Sequence, residues 1–537
     1  MSMLFAPLVA LLLAGDPAPP ADTAVVCPQP YRAALEPWLR YRAAQGHNIV
    51  VVDAEGSPEQ VRDRLIGLAE QGALKFVLLV GHAHPLNSQP GPGVATSYVP
   101  AKVNVLWGSE KAIATDELYA DLDEDGLPEL AVGRWPVGSP SETATAVRKT
   151  LAYENAVEGG DWQRRISFVA GTSGVGSMAD AAMETAARSL IAQYIPPAFV
   201  SSMTYANWHS PYCPEPGMFQ ASAVERFNEG CLFWIYLGHG QRKNVDFVRV
   251  PQGYYPILDQ RSATLLNCRT APPIVLMLAC YTGALDGPGP CLAETLFATP
   301  GGPVAVLASS RVSMPYGMSV LGIELMRQYF TERPATLGEL LLEAKRGTLH
   351  RSRGDATALL LDTLAKLINP RSSDLAAERA EHVALFNLLG DPLLRMKYAQ
   401  EARVATSAAE TKDELIVHVN SPVDGRGTVE VVVRRDRLTF EAPTRATFEP
   451  WIHAEQYQDV YRRANDSRLA WTVMTVVDGK ATVRMRLPQP VTGPCYVRAF
   501  VRDDQGHFAL GATDALIQPD DTSPHRAARK ATSAAAR

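Results

Sequence analysis

Two residues stand where covalent chemistry could begin: His239 in YLGHGQ and Cys280 in LMLACYTG. A thiolate is the nucleophile of acyl transfer, and a neighbouring imidazole supplies or keeps its proton. Each residue follows a fully apolar string, CLFWIYLG (231–238) and PIVLMLA (273–279), which reads as a buried strand. In an open parallel sheet functional residues gather at the carboxyl edge, and the ends of neighbouring strands lie about 5 Å apart. His239 and Cys280 could then share one carbonyl. Glycines around the imidazole let backbone approach a substrate, and the N–H groups of Gly240 and Cys280 are natural donors to an oxyanion. On spacing alone, a turn histidine and a core cysteine remain the competing reading.

Other groups carry weaker signals. Asp121, Asp123, Asp125 and Gly126 form D-x-D-x-D-G, which suits a Ca²⁺ loop. The twelfth position is Val132 where an EF-hand needs Glu, so the choice is between another kind of calcium site and a solvated acidic turn. His82 and His84 in GHAH lack matching ligands and read as loop residues. GVGSMAD lacks the Lys-Ser/Thr of a phosphate loop. The chemistry requires no cofactor beyond an optional structural Ca²⁺. Seven cysteines, an odd number, leave at least one thiol outside any disulfide.

The elements that must position these residues alternate. NIVVVDA, KFVLLVG, ELAVGRW, ISFVAG and GPVAVLASS join the two strings above as strands rich in Val, Ile and Leu. Helical patterns lie between them, among them one capped by Ser57 and another capped by Ser141. This is the layout of an α/β, doubly wound, mainly parallel sheet. After about residue 400 the chain alternates apolar and polar residues between Gly, Pro and Asp turns, the pattern of an antiparallel β-sandwich. Leu4–Ala14 is an apolar run too short to span a bilayer, so 1–14 reads as an export signal. No later stretch suits a membrane helix. Residues 518–537 read as a disordered basic tail. A net charge of −6 with no basic stripe gives no reason to expect nucleic acid.

YLGHGQ followed by LMLACYTGALDGPGPCLAETLFATPGGPVAVLASS closely resembles the gingipain family of cysteine peptidases. FVLLVG, the segment from PAKVNVLWGSEK to AVGRWPV, and NLLGDPLL (387–394) resemble that family in the same order. The resemblance implies a caspase-like fold in two subdomains: an N-terminal α/β subdomain (25–140) and a catalytic one (141–398). An immunoglobulin-like sandwich (405–517) would follow. It implies a secreted endopeptidase of polypeptides, working through an acyl-thioester on Cys280 with His239 as acid and base. Some members place an acid where Ser173 falls here, so a dyad is expected. Asp180 matches a residue that binds the basic side chain of the substrate in arginine-specific members, implying cleavage after Arg or Lys; read by itself, Asp180 is a helix-N-terminal carboxylate stabilised by the macrodipole. Two alternatives use the same fold: a transpeptidase or processing enzyme, and an inactive surface-binding scaffold. Intact His239, Cys280, Gly238 and Gly240 argue against the scaffold. The sequence sets no oligomeric state.

Overall fold

The computed structural model describes residues 19–83, 92–156, 160–172, 193–350, 361–363, 365–366, 374–408, 414–487 and 493–517. The expected export signal, His84, Ser173, Asp180 and the basic tail lie outside them.

Among the described residues, fourteen strands lie between Thr23 and Leu389. They are β1 (Thr23–Val26), β2 (Ile49–Val52), β3 (Phe76–Val80), β4 (Ser97–Pro100), β5 (Ala112–Thr115), β6 (Ala131–Trp135), β7 (Arg165–Ala170), β8 (Val200–Tyr205), β9 (Phe233–Leu237), β10 (Phe247–Val250), β11 (Gly253–Pro256), β12 (Ile274–Leu278), β13 (Ala305–Ser309) and β14 (Phe386–Leu389). Ten of them build one sheet, in the order β2-β1-β3-β6-β14-β13-β12-β9-β7-β8. Every residue of β3, β12 and β13 is buried, which is why these strands are unbroken apolar runs rather than alternating ones.

All neighbours in this sheet run parallel except β13 and β14. The sheet is therefore two parallel blocks of opposite direction, joined at that antiparallel seam. β9 and β12 belong to the second block, so their carboxyl ends share one edge. The hairpins β4–β5 and β10–β11 stand outside the sheet.

Helices supply buried stripes. Leu337–Leu349 turns Leu337, Leu340, Leu341 and Ala344 inward, a helical repeat, and Thr336 and Glu339 close its N-terminus as a capping box. Ser57 and Gln60 do the same for Pro58–Ala69. The expected cap at Ser141 is instead Ser139, because Pro140 takes the first helical position, where its missing N–H costs nothing.

The C-terminal strands are β15 (Gln400–Glu401), β16 (Arg403–Ala408), β17 (Glu414–Asn420), β18 (Gly425–Val433), β19 (Arg468–Val476), β20 (Lys480–Arg486), β21 (Gly493–Arg502) and β22 (Phe508–Ile517). They form a five-stranded sheet, β15-β22-β21-β18-β19, and a three-stranded one, β16-β17-β20, antiparallel apart from the short β15–β22 pair. A helix, Pro450–Ala464, interrupts them. Asn465, just after it, clamps the backbone of Met203 on edge strand β8, accepting from its N–H at 2.7 Å and donating to its C=O at 3.0 Å. Beneath this contact the carboxylate of Glu430 is buried between Arg164 (3.0 Å) and Arg498 (2.6 Å), tying the sandwich to the large sheet. Burial alone would raise the Glu430 pKa, but the two guanidinium groups hold it below the usual carboxylate range.

Candidate active site

Strands β9 and β12 are paired so that Leu237 lies opposite Leu278. His239 and Cys280 each stand two residues beyond these partners, at matching positions on adjacent strand ends. His239 is exposed and Cys280 half-buried.

The backbone around the histidine explains both flanking glycines. Gly238 has φ of +149°, and a Cβ there would fall 2.9 Å from the Tyr236 hydroxyl. A Cβ on Gly240 would fall 2.5 Å from the Cys280 carbonyl oxygen and 2.8 Å from Ala279 Cβ. Only glycine allows the histidine loop to press this closely on the Cys280 turn. Neither the Gly240 N–H nor the Cys280 N–H donates to a partner among the described residues.

Cys280 opens a sharp turn. Tyr281 follows it in the left-handed region (φ +59°), an uncommon conformation that its surroundings must hold. The Tyr281 N–H donates to the Arg311 carbonyl at 3.1 Å, and its hydroxyl donates to Glu110 at 2.8 Å. Arg311 grips Asp286 with two hydrogen bonds, at 2.9 and 2.6 Å, and reaches the Ala112 carbonyl. Burial pushes the Asp286 carboxyl up, but the Arg311 pair outweighs it and holds the pKa below normal. Behind the thiol, the Ser313 N–H points at Cys280 Sγ (3.4 Å), with Ser313 Oγ at 3.8 Å. Sequence reasoning missed Arg311, Asp286, Glu110 and Ser313, because nothing local marks them as neighbours of Cys280.

The acidic loop is a separate feature. Asp121, Asp123 and Asp125 are joined by Glu129, with one carboxylate oxygen of each within 4.8 Å of the others. Backbone bonds from Glu129 and Leu130 N–H to the Ala120 carbonyl close the loop and bring Glu129 round. Partial burial raises the pKa of Asp121 and of Glu129, and neighbouring carboxylates add to the rise. These carboxylates could bind a metal ion such as Ca²⁺, whose preference for several oxygens matches the set. His82 stands apart, its Nδ1 3.0 Å from buried Glu294.

A mixed, mainly parallel sheet that sets an imidazole and a thiol at adjacent strand ends has the makings of thiol-dependent acyl transfer. The profile of Peptidase family C25 matches residues 16–397, and the chain belongs to that family. It is 25% identical to Lys-gingipain of Porphyromonas gingivalis over 147 residues, which span 26% of this chain and 8% of that protein. The crystal structure of the Arg-specific cysteine proteinase gingipain R superposes with a TM-score of 0.51 at 16% identity, covering 92% of this chain and 97% of the other. A second solved structure, described only as a protease, gives 0.54 at 15% identity with the same coverage. The gingipain-like fold, a large mainly parallel sheet followed by antiparallel sheets, is thereby shared along nearly the whole chain. Among the described residues no helix is long and apolar enough to cross a membrane.

Proposed function

We propose that this chain is a secreted cysteine endopeptidase that hydrolyses peptide bonds through an acyl-thioester on Cys280, with His239 as acid and base. The observation that supports it is the register of β9 and β12, which pairs Leu237 with Leu278. The Cys280 thiolate attacks the scissile carbonyl, and the oxyanion is received by the N–H groups of Gly240 and Cys280. His239 gives a proton to the leaving amine. It then takes one from the water that attacks the thioester, and collapse of that intermediate releases the acid product and expels the Cys280 thiolate.

Asp180, outside the described residues, is assigned to the pocket for Arg or Lys on the acyl side of the bond. A carboxylate there would form a charge-assisted, two-bonded pair with a guanidinium. Asp121, Asp123 and Asp125, with Glu129, are assigned a structural Ca²⁺, and the substrates are polypeptides. A positional-scanning peptide library tests the reading. Cleavage after basic residues is expected, lost in Cys280→Ala and His239→Ala and weakened in Asp180→Asn. An active Cys280→Ala protein would overturn the assignment of the nucleophile, and an unchanged profile in Asp180→Asn would overturn that of the pocket.

A further inference from the structure

Beneath the histidine loop lies a hydroxyl that the reaction above does not use. Tyr236, the fourth residue of β9, has no exposed surface. Its hydroxyl donates to the His239 carbonyl at 2.8 Å and accepts from the Asp246 N–H at 3.3 Å. The Asp246 N–H also lies 3.2 Å from that carbonyl, so three groups meet at one point. The Asp246 carboxylate takes no part, since Arg249 holds it at 2.9 and 3.2 Å.

Space for the hydroxyl is left by two glycines on different strand ends. A Cβ on Gly238 would lie 2.9 Å from it, and one on Gly171, just beyond β7, 3.2 Å. Gly171 is in turn fixed by its N–H bond to the Leu237 carbonyl at 2.9 Å. The end of β7, the end of β9 and the segment returning at Asp246 therefore converge on one phenolic oxygen. Burial drives the phenol's pKa far up, so it stays a donor at any working pH.

We propose that Tyr236 is a positioning residue for His239, fixing from below the backbone that carries the imidazole and so its approach to Cys280. The inference rests on the reading of His239 and Cys280 as the catalytic pair.

Tyr236→Phe removes one oxygen and leaves the Asp246 N–H bond to hold the loop. With full-length protein and a cleavable peptide, kcat should fall about tenfold to a hundredfold with KM within about twofold, as expected when a catalytic group is misplaced rather than substrate binding lost. A merely structural tyrosine would lower the melting temperature and leave kcat unchanged, which would overturn the proposal. Should Tyr236→Phe fail to fold, Gly171→Ala decides, because it crowds the hydroxyl while keeping it: the same loss of kcat is expected, and unchanged kcat overturns the idea. Failure of the catalytic reading itself would look different, as wild-type protein alkylated at Cys280 would still cleave peptide.

Discussion

Lowering the pH from 7 to 4 probes a linkage that His382 builds into the wall behind Cys280. This histidine is buried in the helix Leu375–Leu385. Its Nε2 accepts the Met314 N–H at 2.9 Å, and its Nδ1 donates to the Glu378 carbonyl at 2.6 Å. Glu378 holds the Gly317 N–H at 3.0 Å, and Glu381 binds the backbone N–H groups of Val103 (2.6 Å) and Asn104 (2.9 Å). One helical turn thus anchors both the segment that carries Ser313 and the segment leading to Glu110. Burial pushes the His382 pKa from 6.5 down to about 4, against the pull of the Glu381 charge. A proton on Nε2 would turn the acceptor of the Met314 N–H into a donor. Above pH 6.5 neither the folded nor the unfolded state holds the extra proton, and the full stabilisation is present. Between 6.5 and 4 only the unfolded state takes it up, so stability is lost as pH falls. At roughly 1.4 kcal/mol per unit the loss is about 3 kcal/mol. His382→Gln removes the titration. Urea unfolding of both proteins should show the wild-type advantage at pH 7 shrinking by about that amount by pH 4. An advantage that stays constant over this range would refute the reasoning.

Glu430→Ala leaves Arg164 and Arg498 buried without their shared carboxylate, and should cost about 3–5 kcal/mol and open the sandwich junction to limited proteolysis. Gly240→Ala should lower kcat by about a hundredfold in peptide assays, since its Cβ meets the Cys280 carbonyl and forces the two loops apart. With Ca²⁺ at a hundredfold its dissociation constant the acidic loop should gain about 2.7 kcal/mol. EDTA should then lower the melting temperature of wild type but not of an Asp125→Asn/Glu129→Gln protein.

The parts of the fold visible in the sequence are those whose burial leaves a local trace. Strands covered on both faces, such as β3, β12 and β13, must be apolar throughout, and so they announced themselves. His239 and Cys280 were legible for the same reason, each closing such a run. Their pairing was legible only on the condition that the two strands are neighbours, because strand order and register are set by tertiary contacts, and the antiparallel seam at β13–β14 left no local trace. Asp121, Asp123 and Asp125 are a local string, whereas Glu129 joins them only through the closure at Ala120. The helix Pro450–Ala464 was lost among alternating strands. Glu110 lies far from Arg311 and Asp286 in the chain and joins them only once the β4–β5 hairpin docks beside the Cys280 turn. Tyr236 sat inside an apolar string, where its hydroxyl looked like part of the core.

The central claim is that Cys280 carries the acyl group and needs His239 to do so. A peptidyl acyloxymethyl ketone ending in Arg, followed by mass spectrometry of the digested protein, tests it most directly. One covalent adduct is expected, on Cys280, formed in step with loss of peptidase activity, absent in Cys280→Ala and formed at least about a hundredfold more slowly in His239→Ala. An adduct on another residue, or full modification of Cys280 with activity intact, would contradict it.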